Sequence, residues 1–157
     1  MSDEIKNTPD APRAIPPQSF SYKKPTEGRQ GKKEVVKLCQ SPTMRGSVHV
    51  IREGGGEHLH SHKSVDGFWM VVSGRVAFYG DGDIFYGEFG PMEGIMMPRN
   101  NRYWFESIGE GDAEIIQVLH FDHNKGFERD DHEEAKFDRD EIKVFFGGTR
   151  RPKKAQS

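Results

Sequence analysis

The stretch that decides the fold is GGGEHLHSHKSVDGFWMVV, residues 54–72. After the glycines, three histidines stand two residues apart: His58, His60 and His62. Side chains at this spacing lie on one face of a β-strand. The sequence therefore predicts a strand with one face that carries three imidazoles.

The face opposite the histidines carries Glu57 and Lys63, which are costly to bury without partners. Neutral imidazoles can be buried when they are hydrogen-bonded or bound to a metal. We therefore expect the histidines to point into an interior pocket and Glu57 to point outward. The alternative is an exposed edge strand whose histidines have no role. The following FWMVV, residues 68–72, favours the interior, because it is apolar on both faces and places Trp69 beside the histidines.

The chain around this strand predicts an all-β domain. Between residues 34 and 122, short apolar or alternating runs are bounded by Gly, Pro, Asn or Asp and recur at the spacing of an antiparallel sandwich or barrel. YGDGD at 79–83 predicts a tight hairpin turn.

The two ends of the chain differ from this central part. Residues 1–33 are rich in Pro, Lys, Ser and Gln, which predicts a flexible N-terminal tail, and its basic end is interpreted as a solvated linker. Residues 123–157 form a charged C-terminal extension. Within it, 128–141 has the composition of a short surface helix, and IKVFFGG at 142–148 that of a last strand or an interface segment. We expect three parts: 1–33, 34–122 and 123–157.

Composition excludes several classes of protein. The formal net charge of −2 over 157 residues gives no overall basic field for nucleic acid. The single cysteine, Cys39, excludes an intrachain disulfide framework. The chain has no secretory signal pattern and no apolar run of the ~20 residues that cross a bilayer. We expect a cytoplasmic protein that binds neither nucleic acid nor membrane.

Two motifs make the sequence resemble the cupins. Residues 54–80 supply the family's first motif, with a glycine, the pair His60 and His62, and a closing Gly74. GPMEGIMMPRNNRYWFES, residues 90–107, resembles the second motif. The resemblance covers about 46–121. It implies a single antiparallel β-barrel of the jelly-roll type with a site inside its mouth.

The resemblance also implies a divalent metal ion (Fe, Mn, Ni, Cu or Zn) held by His60 and His62. The other family ligands are replaced, because the glutamate position falls on Gly67 and the second-motif histidine on Tyr103. Three residues are candidates to complete the set: His58, His120 and Asp66. Tyr103 is a candidate ligand or general acid/base. A further alternative is that no metal binds and that His60, His62 and Tyr103 form a proton-transfer site.

Arginines after the closing turn of the first motif and in the second-motif loop suggest an anionic substrate, because guanidinium groups bind carboxylate or phosphate bidentately. The candidate substrate-binding residues are Arg75, Arg99, Arg102 and Trp69.

These features lead to three hypotheses of function. The first is an isomerase, epimerase or lyase, metal-dependent, that acts on a small anionic or carbohydrate-like metabolite. The second is an Fe(II)-dependent dioxygenase. The third is a non-catalytic ligand-binding or sensory barrel. Apolar aromatic strands and the VFFGG segment at 144–148 favour a homodimer.

Overall fold

The structure, a computed structural model, describes residues 15–26, 32–122 and 129–132, together with the backbone of 142–146. These segments contain eleven strands: β1 Lys33–Gln40, β2 Met44–Ile51, β3 Gly56–Ser61, β4 Val65–Ser73, β5 Val76–Gly80, β6 Phe85–Phe89, β7 Gly94–Met97, β8 Tyr103–Ser107, β9 Ala113–Phe121, β10 Asp130–Asp131 and β11 Ile142–Phe146. No α-helix occurs in the described segments, which confirms the all-β prediction. A helix that could cross a membrane is likewise not found there.

The strands form two sheets. Sheet A has the order β11-β1-β2-β9-β4-β7, and sheet B the order β10-β3-β8-β5-β6. Every pairing is antiparallel except that of β1 with β11. The turn predicted at 79–83 joins β5 to β6, and Gly82 has a φ of 66° in it, as a tight hairpin requires.

The alternation of apolar residues produces the core. In β9 the buried positions are every second residue from Ala113, so one face of this strand points between the sheets. Aromatic rings from both sheets fill that space, with Trp69 from sheet A contacting Phe78 and Phe105 from sheet B. Trp69 belongs to this core and also lines the cavity described below.

Residues 15–26, part of the predicted flexible tail, lie against the outer face of sheet A. Tyr22 packs on the apolar cluster of Val36, Leu38 and Val48, and its hydroxyl donates to Glu114 at 2.5 Å. Burial first, and then the Glu114 carboxylate, raise the pKa of Tyr22 well above its ordinary value. The tail is held because sheet A presents apolar side chains on its outer face as well as its inner one.

The C-terminal extension contributes to both sheets. β10 pairs with β3, and β11 pairs with β1, so the sheets extend past the predicted boundary at residue 122. Within the stretch predicted to be a surface helix, residues 130–131 form a strand, and most of the rest lies outside the described residues. The predicted interface segment at 144–148 overlaps β11, whose backbone pairs inside this chain. The homodimer stays a prediction.

Candidate ligand-binding cavity

A β-bulge in β3 decides which side chains face the interior. Glu57 is opposite Phe105 and His60 is opposite Tyr103, so two residues of β3, His58 and Leu59, lie opposite one residue of β8, Trp104. Opposed residues of an antiparallel pair share a face, and Phe105 is completely buried in the core. Glu57 therefore shares the inward face with His60. The expectation that Glu57 points outward is wrong, because strict alternation does not hold across a bulge.

The inward faces of the two sheets enclose a cavity of about 200 Å³. Among the described residues it is lined by Lys33, Val35, Lys37, Arg45, Ser47, His49, Glu57, His60, His62, Trp69, Gln117 and Arg129. Four of these side chains are lysine or arginine, and one is a carboxylate. The described lining is therefore cationic.

Glu57, the carboxylate, is already neutralised. It is 4% exposed, its carboxylate accepts a hydrogen bond from Lys33, and its Oε1 lies 2.9 Å from Arg129 Nη2. Burial alone would raise the pKa of Glu57, but Lys33 and Arg129 outweigh that effect and hold the pKa well below its ordinary value. Glu57 consequently remains an anion bound to two cations.

His60 is held in one tautomer. Its Nδ1 lies 2.8 Å from the carbonyl oxygen of His58, and because a carbonyl only accepts, Nδ1 carries the proton. The lone pair is then on Nε2. Burial, followed by the nearby Arg129, lowers the pKa of His60 to about 3. At neutral pH the ring is an uncharged hydrogen-bonding group.

His62 lies beside His60 in the cavity wall, with their ring centroids 5.1 Å apart. Trp69, a predicted substrate-binding residue, also lines the cavity, and its Nε1 donates a hydrogen bond to the hydroxyl of Tyr103. These three residues and His60 are the predicted site residues that the structure brings together.

His49 is a cavity residue that the sequence reasoning missed. It is 6% exposed, contacts the Trp69 ring edge-on, and has Nε2 at 3.1 Å from Oε1 of Gln117. Its Nδ1 is the buried side-chain atom without a hydrogen-bond partner in the described part of the chain. Burial, and then Lys33, lower the pKa of His49 far below its ordinary value. The signal was present, since polar residues recur at every second position of RGSVH, residues 45–49.

His58, a predicted third metal ligand, is engaged elsewhere. Its side chain is 2% exposed, and its Nε2 lies 2.8 Å from Asp131 Oδ1 and 3.0 Å from Arg129 Nη2. The cavity lining among the described residues does not include it. The bulge separates His58 from the inward face, so the expectation that all three histidines point into one pocket holds for two of them.

His120 and Asp66 lie on the outer side of sheet A. They are paired across β4 and β9, and His120 is exposed. Asp66 binds Arg99, with its Oδ2 2.7 Å from Nη2, and that contact with Arg99 lowers the pKa of Asp66. The structure therefore does not bring His120, Asp66 or Arg99 to the two cavity histidines.

The other predicted substrate-binding arginines form exposed ion pairs. Arg75 binds Glu88 at 2.7 Å, and Arg102 binds Asp81 at 3.2 Å. Neither lines the cavity among the described residues. The described cations that do line it lie on β1 and β2 and directly before β10, and the sequence spacing near the second motif gave no sign of them.

Tyr103 is a core residue beside His60, with ring centroids 4.3 Å apart. Its hydroxyl accepts from Trp69 Nε1 at 3.4 Å, and burial raises its pKa well above its ordinary value. It lines a gap of only about 10 Å³ next to the cavity, together with His62. Its role as a general acid/base stays a prediction.

The donor set among the described residues does not fit a divalent metal ion. In the described segments, no group of three His, Cys, Asp or Glu side chains is placed to hold one ion. His60 and His62 line the cavity, but the carboxylate beside them is bound to Lys33 and Arg129. Cations within the same wall also repel a metal ion electrostatically.

Solved structures similar to this one have the cupin fold. The cupin domain of Cnp3 from Schizosaccharomyces pombe is 14% identical over 61% of this chain and 69% of that chain, with a TM-score of 0.55. A conserved protein with a double-stranded β-helix domain from Klebsiella pneumoniae is 14% identical over 72% and 87%, with a TM-score of 0.58. An oxalate oxidase is 16% identical over 63% of this chain and 55% of its own, with a TM-score of 0.52.

The chain therefore has the cupin fold, a double-stranded β-helix, as its two motifs predicted. No family model and no curated protein sequence matches it. At this level of identity the comparisons define the fold alone, and the names of these proteins include one enzyme and two that state no activity.

Proposed function

We propose that this protein binds a small organic anion in the barrel cavity. The observation that carries the proposal is the charge of the cavity lining: among the described residues, four cationic side chains face one carboxylate that is already paired. A charged group loses hydration when it enters a cavity, and cations in the wall replace that hydration. A carboxylate or phosphate is therefore the favoured ligand group.

Lys37 and Arg45 are placed to bind the anion. Lys37 is opposite Ser47 on β2, and Arg45 precedes Ser47 by two residues, so the three side chains are neighbours on one face. Burial lowers the pKa of Arg45, but a guanidinium that starts from 12.5 stays charged at neutral pH.

The size of the cavity indicates the size of the ligand. About 200 Å³ is below the roughly 300–1,000 Å³ of pockets for drug-sized molecules. A small metabolite fits this space and a nucleotide cofactor does not.

Calorimetric titration of the full chain with citrate, malate and phosphate tests the proposal. We expect saturable binding that weakens with salt, and a Kd at least about tenfold higher in Lys37→Met and in Arg45→Met, because each removes a charge contact worth about 1.4 kcal/mol or more. Lys63→Met is the matched control, since Lys63 is exposed and pairs with Asp130. Absence of binding by every anion, or equal affinity in all variants, overturns the proposal.

Proton transfer is a second candidate function, and the tautomer of His60 favours it. With Nδ1 protonated, Nε2 of His60 is the nitrogen that accepts a proton. Its pKa of about 3 makes it a weak base at neutral pH, and a bound anion would raise that pKa. Binding without reaction is therefore ranked above isomerase, epimerase or lyase chemistry.

Deuterium exchange separates the two candidates. A bound carboxylic acid with an acidic α-hydrogen, such as malate, would exchange that hydrogen in D₂O if His60 moves protons, and NMR would detect the loss of its signal. Exchange that is abolished in His60→Gln supports an enzyme, whereas binding without exchange supports a ligand-binding barrel. The metal-dependent forms of the chemistry, including the Fe(II) dioxygenase, find no support in the described donor set.

A further inference from the structure

The outer face of sheet A carries an apolar surface that the described part of the chain leaves exposed. Residues 15–26 pack over β1 and β2, but on β4 and β7 the outward side chains of Phe68, Val72 and Met96 are exposed. Phe68 is opposite Met96, and Val72 lies on the same face of β4 as Phe68, with the half-buried Met70 between them. These side chains are therefore neighbours on one flat sheet face.

Met92 extends this surface in the turn before β7. Its N–H donates to the carbonyl oxygen of Val71 at 2.8 Å, and its side chain is 77% exposed. Its φ is 68°, a left-handed conformation that glycine and asparagine adopt more readily than methionine. The turn itself therefore does not account for a methionine at this position. We call Phe68, Met70, Val72, Met92 and Met96 the β4–β7 patch.

The composition of the chain around the β4–β7 patch is typical of a protein interface. Methionine, arginine and aromatic residues are enriched where proteins meet, and lysine is depleted. No lysine occurs between Lys63 and Lys125, a stretch that contains the whole patch and three arginines. A single exposed apolar side chain is ordinary on a protein surface, but a contiguous group of them marks an interaction site.

The charges beside the patch favour a second copy of this chain as the partner. Asp66 and Arg99 lie at the end near Phe68, where their side chains pair at 2.7 Å, and the exposed Glu93 follows Met92. A surface that docks on its own copy has to carry both signs of charge, because a single sign would repel itself. An anionic lipid surface or a nucleic acid would instead require a basic rim.

We propose that two copies of this protein form a homodimer through the β4–β7 patch, with the outer face of one sheet A packed on that of the other. Sheet faces pack in this way about 10 Å apart. The patch lies on the side of β4 opposite to Trp69, which lines the cavity, so the inference is independent of the proposed function.

Sedimentation velocity of the full chain over a concentration series tests the proposal. Wild type should sediment at twice the mass of the chain at micromolar concentrations. Met96→Glu should raise the Kd of the dimer at least about a hundredfold, because each copy would bury a carboxylate without a partner. Ile84→Glu is the matched control, since Ile84 is 63% exposed against 66% for Met96 but lies between β5 and β6. Its Kd should stay within about threefold of wild type.

A second variant keeps the test decisive. Met92→Asn places a residue that adopts a positive φ readily, so it should not lower the thermal midpoint of the monomer. It removes an apolar side chain from the interface and should raise the Kd at least about fivefold. A wild-type chain that stays monomeric throughout the series overturns the proposal, as does a Kd that is unchanged in both methionine variants. An equal rise in Ile84→Glu also overturns it, because association would then not depend on this patch.

Discussion

The protein should lose stability in mild acid because two buried histidines must stay neutral in the fold. Burial and Arg129 lower the pKa of His60 from 6.5 to about 3, and burial lowers that of His49 in the same direction. Below pH 6.5 the unfolded chain therefore binds more protons than the folded one, and acid favours unfolding. The stabilising contribution is complete above pH 6.5 and is lost as the pH falls toward the folded pKa.

The size of the effect follows from His60. The pH of 5 is about 1.5 units below the pKa of this imidazole in the unfolded chain, whereas in the folded protein the ring is still neutral at pH 5. Protonation of the unfolded chain therefore lowers the free energy of unfolding by about 2 kcal/mol, at 1.36 kcal/mol per pH unit. His49 adds to this loss in the same direction.

Urea unfolding at pH 7 and pH 5, followed by tryptophan fluorescence, measures the effect. The loss of unfolding free energy between the two pH values should be about 2 kcal/mol smaller in His60→Gln than in wild type, and smaller again when His49→Gln is added. His120→Gln, exposed on the outer face, is the matched control. A loss in His60→Gln equal to that of wild type would refute the reasoning.

Three other outcomes follow from the structure. Arg52→Leu should lower the free energy of unfolding by roughly 3–5 kcal/mol, because it leaves the fully buried Glu34 without the guanidinium that binds both its oxygens. Arg75→Leu, on the surface, should lower it by under about 1 kcal/mol. Urea unfolding measures both. Gly94→Ala should give little folded protein by circular dichroism, because a Cβ there would lie 1.9 Å from a backbone oxygen of β4. Elemental analysis after incubation with Zn²⁺ or Mn²⁺ and desalting should find far less than one equivalent of metal per chain. One equivalent of metal that is lost when His60 and His62 are both replaced would show that the described donors do bind an ion.

Local patterns were sufficient for the fold and for part of the site. Alternation and turn residues are properties of neighbouring positions, so they predicted the strands, the hairpin after β5 and the inward orientation of His60 and His62. The same alternation exists in β2, where it marks Arg45 and His49.

The remaining features depend on contacts between distant parts of the chain. The bulge that turns Glu57 inward is set by the pairing of β3 with β8, and no residue type at 57–60 encodes it. Lys33 and Arg129 reach the cavity from opposite ends of the sequence. Three arginines, Arg75, Arg99 and Arg102, are predicted to bind substrate because their charge can be read from the sequence. The carboxylates that pair with them come close only in the folded chain, so the sequence does not reveal them.

The parallel pairing of β1 with β11 has a consequence for biosynthesis. Lys33 is matched with Ile142, so the strand that carries two of the cavity lysines gains its outer neighbour only after residues 142–146 have been synthesised. Until then β1 is an open edge whose backbone groups are available to other chains. Shortening the protein before residue 142 should therefore promote aggregation during expression, even though the barrel core between β2 and β9 is already complete.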